Sequence, residues 1–151
     1  MAKQPIRMSE FWEKEQIPPT AYLFRYIHKN QVNKQEKKPI PKAMDGGFET
    51  SCDWDKYATP EKTRASLARQ TKHSGGFKNP DDYFIVQLLV QDIHEYLPSQ
   101  KVEHDPIQNH EILPDNRAHS LIIGDKSDVE IRLKLVDTCS WAIAPPAIFY
   151  D

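Results

Sequence analysis

Glycine is scarce in this chain, with five residues, and cysteine scarcer, with two. Few glycines and twelve prolines predict stiff, extended connections rather than flexible linkers. Cys52 and Cys139 are too few for a disulfide framework or a cysteine-rich zinc cluster. They read as reduced thiols of a cytoplasmic protein. No run approaches the roughly 18 apolar residues of a membrane span. The first residues, MAKQPIRMSEFWEKEQ, lack the apolar core of a secretory signal. HExxH, HxH and paired CxxC are all missing, as is any Gly-rich phosphate loop, which argues against nucleoside triphosphate hydrolysis. Ser51, Ser66 and Ser120 lie in no GxSxG turn, so no nucleophile elbow is signalled. Cys52 beside Asp53 would have a raised pKa, the opposite of an activated thiolate.

What remains is 151 residues, 38% apolar and 28% charged, enough for one domain with a real core. Charge is unevenly spread. Residues 1–42 hold nine Lys or Arg against four acids, and both later thirds are acidic. A basic N-terminal third suits an acidic partner or nucleic acid. Its basic residues are not interleaved with stacking aromatics, which favours an ordinary solvated surface.

Residues 1–20 read as an arm. Ser9 caps a short helix whose apolar side is Phe11 and Trp12, stopped by Pro18 and Pro19. Residues 21–28 are a first strand, with Arg25 read as an edge or outward residue. Residues 29–43 are polar, basic and proline-punctuated, a surface loop that could order on binding. Residues 48–52 form a second strand. Thr59 as N-cap and Pro60 at the first position start a helix over 60–71. A central strand at 83–89 runs into a helix at 91–97, and short strands follow at 101–104 and 118–123. Over 127–140 the Ser127-x-x-Glu130 capping box and the spacing of Val129, Leu133, Val136 and Ser140 favour a helix over the competing strand reading. The expected fold is α+β: a small mixed sheet, about three helices, an N-terminal arm over 1–20, a domain over 21–141 and an apolar tail over 142–151.

Chemistry concentrates in VEHDPIQNHEILPDNRAHSLIIG, residues 102–124, which carries His104, Asp105, His110, Asp115, Asn116 and His119. Imidazole and carboxylate serve as general acid and base, and as ligands for zinc, manganese or iron. If the strands ending at His104 and starting at His119 are neighbours, the two histidines could converge. They would hold a divalent metal, with Asp105 and Asn116 completing a catalytic group. Turns use the same Asp-Pro and Pro-Asp-Asn pieces for backbone bonding. A remoter pattern is Arg25, Glu49-Thr50-Ser51 and Glu130. It has the chain order of an Arg, Ser-Thr-Ser and Glu set in one class of ADP-ribosyltransferases, with Glu49 where that class has serine.

The pieces His104-Asp105-Pro106, Asn116-Arg117-Ala118-His119, Ser51-Cys52-Asp53-Trp54 and Phe24-Arg25 resemble those of a group of small bacterial proteins without an established activity. The likeness spans roughly residues 21–140. It implies a bacterial, cytoplasmic origin and the pairing of His104 with His119. This chain departs by a longer loop with His110 and by its two arms.

Two functions are expected. The first is a binding or accessory protein working with a protein partner through its arms and basic loop, by way of Phe11, Trp12, Lys34, Lys37, Lys38, Phe149 and Tyr150. The second is a hydrolase or nuclease centred on His104, Asp105 and His119, using a divalent metal.

Overall fold

The computed structural model describes residues 10–151. Along the chain come β1 (Tyr22–His28), β2 (Val32–Asn33), β3 (Lys38–Pro39), β4 (Glu49–Trp54), α1 (Pro60–Ser66), β5 (Tyr83–Leu89), α2 (Val90–Tyr96), β6 (Lys101–His104), β7 (His119–Ile123), α3 (Val129–Thr138) and β8 (Ser140–Ile143). Six strands make one sheet in the order β6-β7-β4-β1-β5-β8, and β2 with β3 make a separate hairpin. The class is α+β, with three α-helices among the described residues. Every strand pairing is antiparallel, so the sheet is not mixed in its pairing.

Side chains alternate across a strand, and this sorts the sheet's two faces. Leu23 and Ile27 of β1, Cys52 and Trp54 of β4, Phe84, Val86 and Leu88 of β5, and Ile122 of β7 build the main core. Ile93 and Leu97 at α2 and Leu135 and Val136 of α3 cover it. The opposite face carries Ser51 and Asp53 of β4 and His119 of β7. It receives α1, which contacts β1 and β5. Thr59 caps α1 by accepting from Lys62 N–H, Pro60 is its first residue, and a 3-10 turn over Leu67–Arg69 follows it.

Several expectations are overturned. Residues 10–18 are not helical, and Ser9 lies outside the described residues. The N–H groups of Trp12 and Glu15 go instead to Gln108 Oε1 at 2.9 Å and His104 Nδ1 at 3.0 Å. Tertiary partners thus replace intrahelical ones. The arm docks through buried Ile17 while Phe11 stays 78% exposed. Residues 29–43 are not a bare surface loop. The β2–β3 hairpin and two 3-10 turns order them, because Val32, Ala43 and Met44 reach the core. Arg25 is buried, not outward, since β1 is interior; its guanidinium donates to Ser51 O at 3.0 Å and Ala43 O at 3.3 Å. The helix α3 forms, but Asp128, not Ser127, caps it by accepting from Glu130 N–H. Its buried residues are Leu135 and Val136, while Val129 and Leu133 are exposed.

The C-terminal segment joins the fold as well. Val86 and Gln87 of β5 pair with Trp141 and Ser140 of β8, and Phe149 packs edge-on to Phe84 with ring centroids 5.2 Å apart.

A charge is also built into the frame. Lys126 is 2% exposed, and its ammonium donates to the carbonyls of Ile122, Gly124 and Phe48 at 2.8, 3.0 and 3.1 Å, with Gly47 O at 3.4 Å. Desolvation pulls its pKa below the usual lysine value. Gly124, with φ of 155°, has its α-hydrogen side against the Gln100 amide; a Cβ there would meet it at 2.6 Å. A side chain at this position would force the buried Gln100 amide to move and would sit at a backbone angle that favours glycine.

Candidate functional site

Strand register decides which of the polar residues meet. Asp53 pairs with His119, and Ser51 with Leu121 two residues on. Ser51 and His119 are therefore diagonal neighbours on one face, a separation long side chains bridge. Ser51 Oγ lies 3.2 Å from His119 Nε2. On the other side of the ring, His119 Nδ1 is 2.8 Å from the backbone carbonyl of Asp105 and 3.3 Å from its carboxylate Oδ2. Two oxygens at Nδ1 call for a proton there. That leaves the Nε2 lone pair facing the serine hydroxyl, which donates to it.

Beneath this line sits Asp53, buried. Its carboxylate accepts from Thr63 Oγ1 of α1 and from Asn116 Nδ2, each at 2.8 Å. Asn116 Oδ1 in turn accepts from Ala118 N–H at 3.1 Å. Ile107 and Asn116 exchange backbone hydrogen bonds across the base of their loop, at 2.9 and 2.8 Å. The whole loop is thereby anchored to α1 and β4. Asn116 holds the frame and does not orient a histidine.

The serine and histidine open into a cleft of about 230 Å³. One wall is Ser66, Arg69, Gln70 and Thr71; the other is Ile107, Ile112, Leu113 and Pro114. Drug-sized sites run to roughly 300–1,000 Å³, so this one suits a small molecule.

His104 does not join His119. It pairs with Ser120, whose side chain faces the core, so a one-residue offset sends the two imidazoles to opposite faces. The His104 side is 2% exposed. Its Nδ1 accepts from Glu15 N–H and its Nε2 donates to Arg117 O at 2.6 Å. The ring is stacked on Tyr57 and edge-on to Trp54. Both nitrogens are committed to backbone, leaving no lone pair for a metal ion. Among the described residues no three His, Cys, Asp or Glu side chains gather as a metal-ligating group. His110 accepts from the N–H groups of Ile112 and Leu113 at 3.0 Å and shapes the loop.

The other candidates are scattered. Arg25 and Thr50 face the core side, whereas Glu130 is exposed in the first turn of α3; the ADP-ribosyltransferase-like set does not assemble. Trp12 lies under the Arg117 guanidinium, Lys34 over Phe149 and Lys37 over Tyr150. Lys38 pairs with Asp137 at 3.5 Å. Ser51 lies in no nucleophile elbow, so no sequence motif marks it. The available signal was alternation, which puts Ser51 and Asp53 on one face of a strand. The structure also confirms burial at the thiol next to it: desolvation pushes Cys52 up to about 12.

Comparison with protein-family models, with curated proteins and with solved structures gave no match.

Proposed function

We propose that this protein is a small hydrolase acting by acyl transfer, with Ser51 as nucleophile, His119 as general base and acid, and Asp105 as the group that orients the imidazole. The observation that carries this is a single ring, His119, with a serine hydroxyl at one nitrogen and an aspartate at the other. That set of roles recurs on unrelated folds and is recognised by geometry rather than by sequence order. No metal is needed in the cycle, so the reading differs from a metal-dependent centre on His104 and His119.

In the first half, Ser51 Oγ adds to the acyl carbon and its proton passes to His119 Nε2. The imidazolium then protonates the leaving oxygen, the C–O bond breaks and an alcohol departs. In the second half, water adds to the acyl-serine, giving its proton to Nε2. The acid is released as that proton returns to Ser51 Oγ. Gln70 lines the same cleft. Its Oε1 accepts from Lys78 Nζ at 3.1 Å, which leaves the amide N–H groups as donors for the developing oxyanion. The terminal segments fold back on their own domain, and a partner-binding role would have to use what they leave outside, such as Phe11.

The test is reaction with a fluorophosphonate, read by intact mass and peptide mapping, alongside hydrolysis of 4-nitrophenyl acetate. Expected is one adduct on Ser51, and a rate that falls at least about a hundredfold in Ser51→Ala. No adduct on Ser51, together with equal rates for wild type and Ser51→Ala, would end the proposal.

A further inference from the structure

We infer that the substrate of this centre is a small ester bearing an anionic group, carboxylate or phosphate, held by Arg69, with an apolar segment against Ile112 and Leu113. The inference rests on the acyl-transfer reading and adds its specificity.

The two walls of the cleft differ in kind. Arg69 ends the 3-10 turn after α1 and lines the cleft. Among the described residues its guanidinium makes no hydrogen bond and no ion pair. Of the neighbouring cations, Arg64 Nε donates to Pro80 O at 3.0 Å and Lys78 Nζ to Gln70 Oε1 at 3.1 Å, and Lys72 is not part of the cleft lining. From Arg69 to Lys78 the chain reads RQTKHSGGFK, with no acid. A planar guanidinium beside a cleft, with its donors free, is matched by carboxylate or phosphate oxygens.

The facing wall is apolar where a polar loop would be expected. Ile112 is 82% exposed and Leu113 45%. His110 fixes both by accepting their backbone N–H groups. Both line the cleft and give an apolar segment a surface to pack against. One acid shares the lining, Asp115, and its Oδ1 already accepts from Asn109 N–H at 2.9 Å. Asp105 is taken up by His119. Arg69 is the one Lys or Arg of the cleft lining; the Asp115 carboxylate repels an anion from its own part of the cleft, so the anionic group is held at Arg69.

The experiment compares two esters of equal chain length, mono-4-nitrophenyl glutarate and 4-nitrophenyl valerate, which differ in a terminal carboxylate. Wild type is expected to prefer the glutarate ester. Arg69→Gln is expected to lower the ratio of the two kcat/KM values about tenfold or more, mostly through KM, the scale of one charge-assisted hydrogen bond. Ile112→Ser is expected to raise KM for both esters. Glutarate competing where inorganic phosphate does not assigns a carboxylate; the reverse assigns a phosphate. A wild-type preference for valerate, a ratio untouched in Arg69→Gln, or competition by neither anion overturns the inference. Failure of the acyl-transfer reading looks different: Ser51→Ala would then hydrolyse both esters as wild type does.

Discussion

Ser51 and His119 stand on adjacent antiparallel strands, two residues apart in register, and their side chains meet at 3.2 Å. Hydrogen bonding of β4 to β7 thus sets the distance between nucleophile and base. Neither residue is on a flexible loop. The aspartate lies just outside the strands: Asp105 follows the last residue of β6 and is tied to β7 by its own N–H to His119 O at 2.9 Å.

That arrangement grades the expected losses. His119 Nδ1–H has a backbone carbonyl as well as the Asp105 carboxylate to hold it. Asp105→Asn keeps the carbonyl, and with it the tautomer. Where loss of a triad aspartate costs about ten-thousandfold by tautomer reversal, Asp105→Asn here should cost nearer tenfold to a hundredfold in kcat. His119→Ala should match Ser51→Ala. Steady-state kinetics on 4-nitrophenyl acetate checks the ordering.

His104 is expected to fail as a catalytic residue and to matter as a clamp. Substituting alanine removes the acceptor of Glu15 N–H and leaves Arg117 O without its donor. A buried group left unpaired costs about 1–3 kcal/mol. His104→Ala should retain fluorophosphonate labelling at Ser51. It should also expose residues 10–17 to limited proteolysis, read by mass spectrometry of the first cut.

Lys126→Met should destabilise the protein by about 1–3 kcal/mol, because the buried carbonyl of Gly124 loses its donor, while Gly47 is exposed and its carbonyl can bond water. Phe48 O keeps the N–H of Gly124. Urea denaturation of variant and wild type measures the difference, and a shift below about 1 kcal/mol would show that water replaces the ammonium.

Alkaline pH should weaken the fold through the two thiols. Burial raises Cys52 and Cys139 from 9.0 to about 12. Between those values the unfolded chain has lost protons that the folded chain keeps, so stability falls as pH rises, by up to about 1.4 kcal/mol per pH unit for each thiol. Lys126 acts in the opposite sense, its folded form holding its proton less tightly than a solvated lysine. Denaturation midpoints taken on either side of the thiol range should show a net decline. Cys52→Ala with Cys139→Ala should flatten it.

By itself the sequence determined the α+β class, five strand segments near 21–28, 48–52, 83–89, 101–104 and 118–123, which the structure places within two residues at each end, and the stretch in which Asp105, Asn116 and His119 lie. Local signals suffice for these: Thr59-Pro60 opens a helix, and β-branched and aromatic runs make strands. The sequence also held the competing pair, His104 with His119, which chain proximity favours. Tertiary structure decided against that pair through parity. His104 lies opposite Ser120, so His119 is one residue out of step and on the other face. Only strand register could bring Ser51, 68 residues away along the chain, to His119. Register is fixed by which faces bury Cys52, Trp54 and Ile122, a property of the packed sheet that no local window of sequence contains.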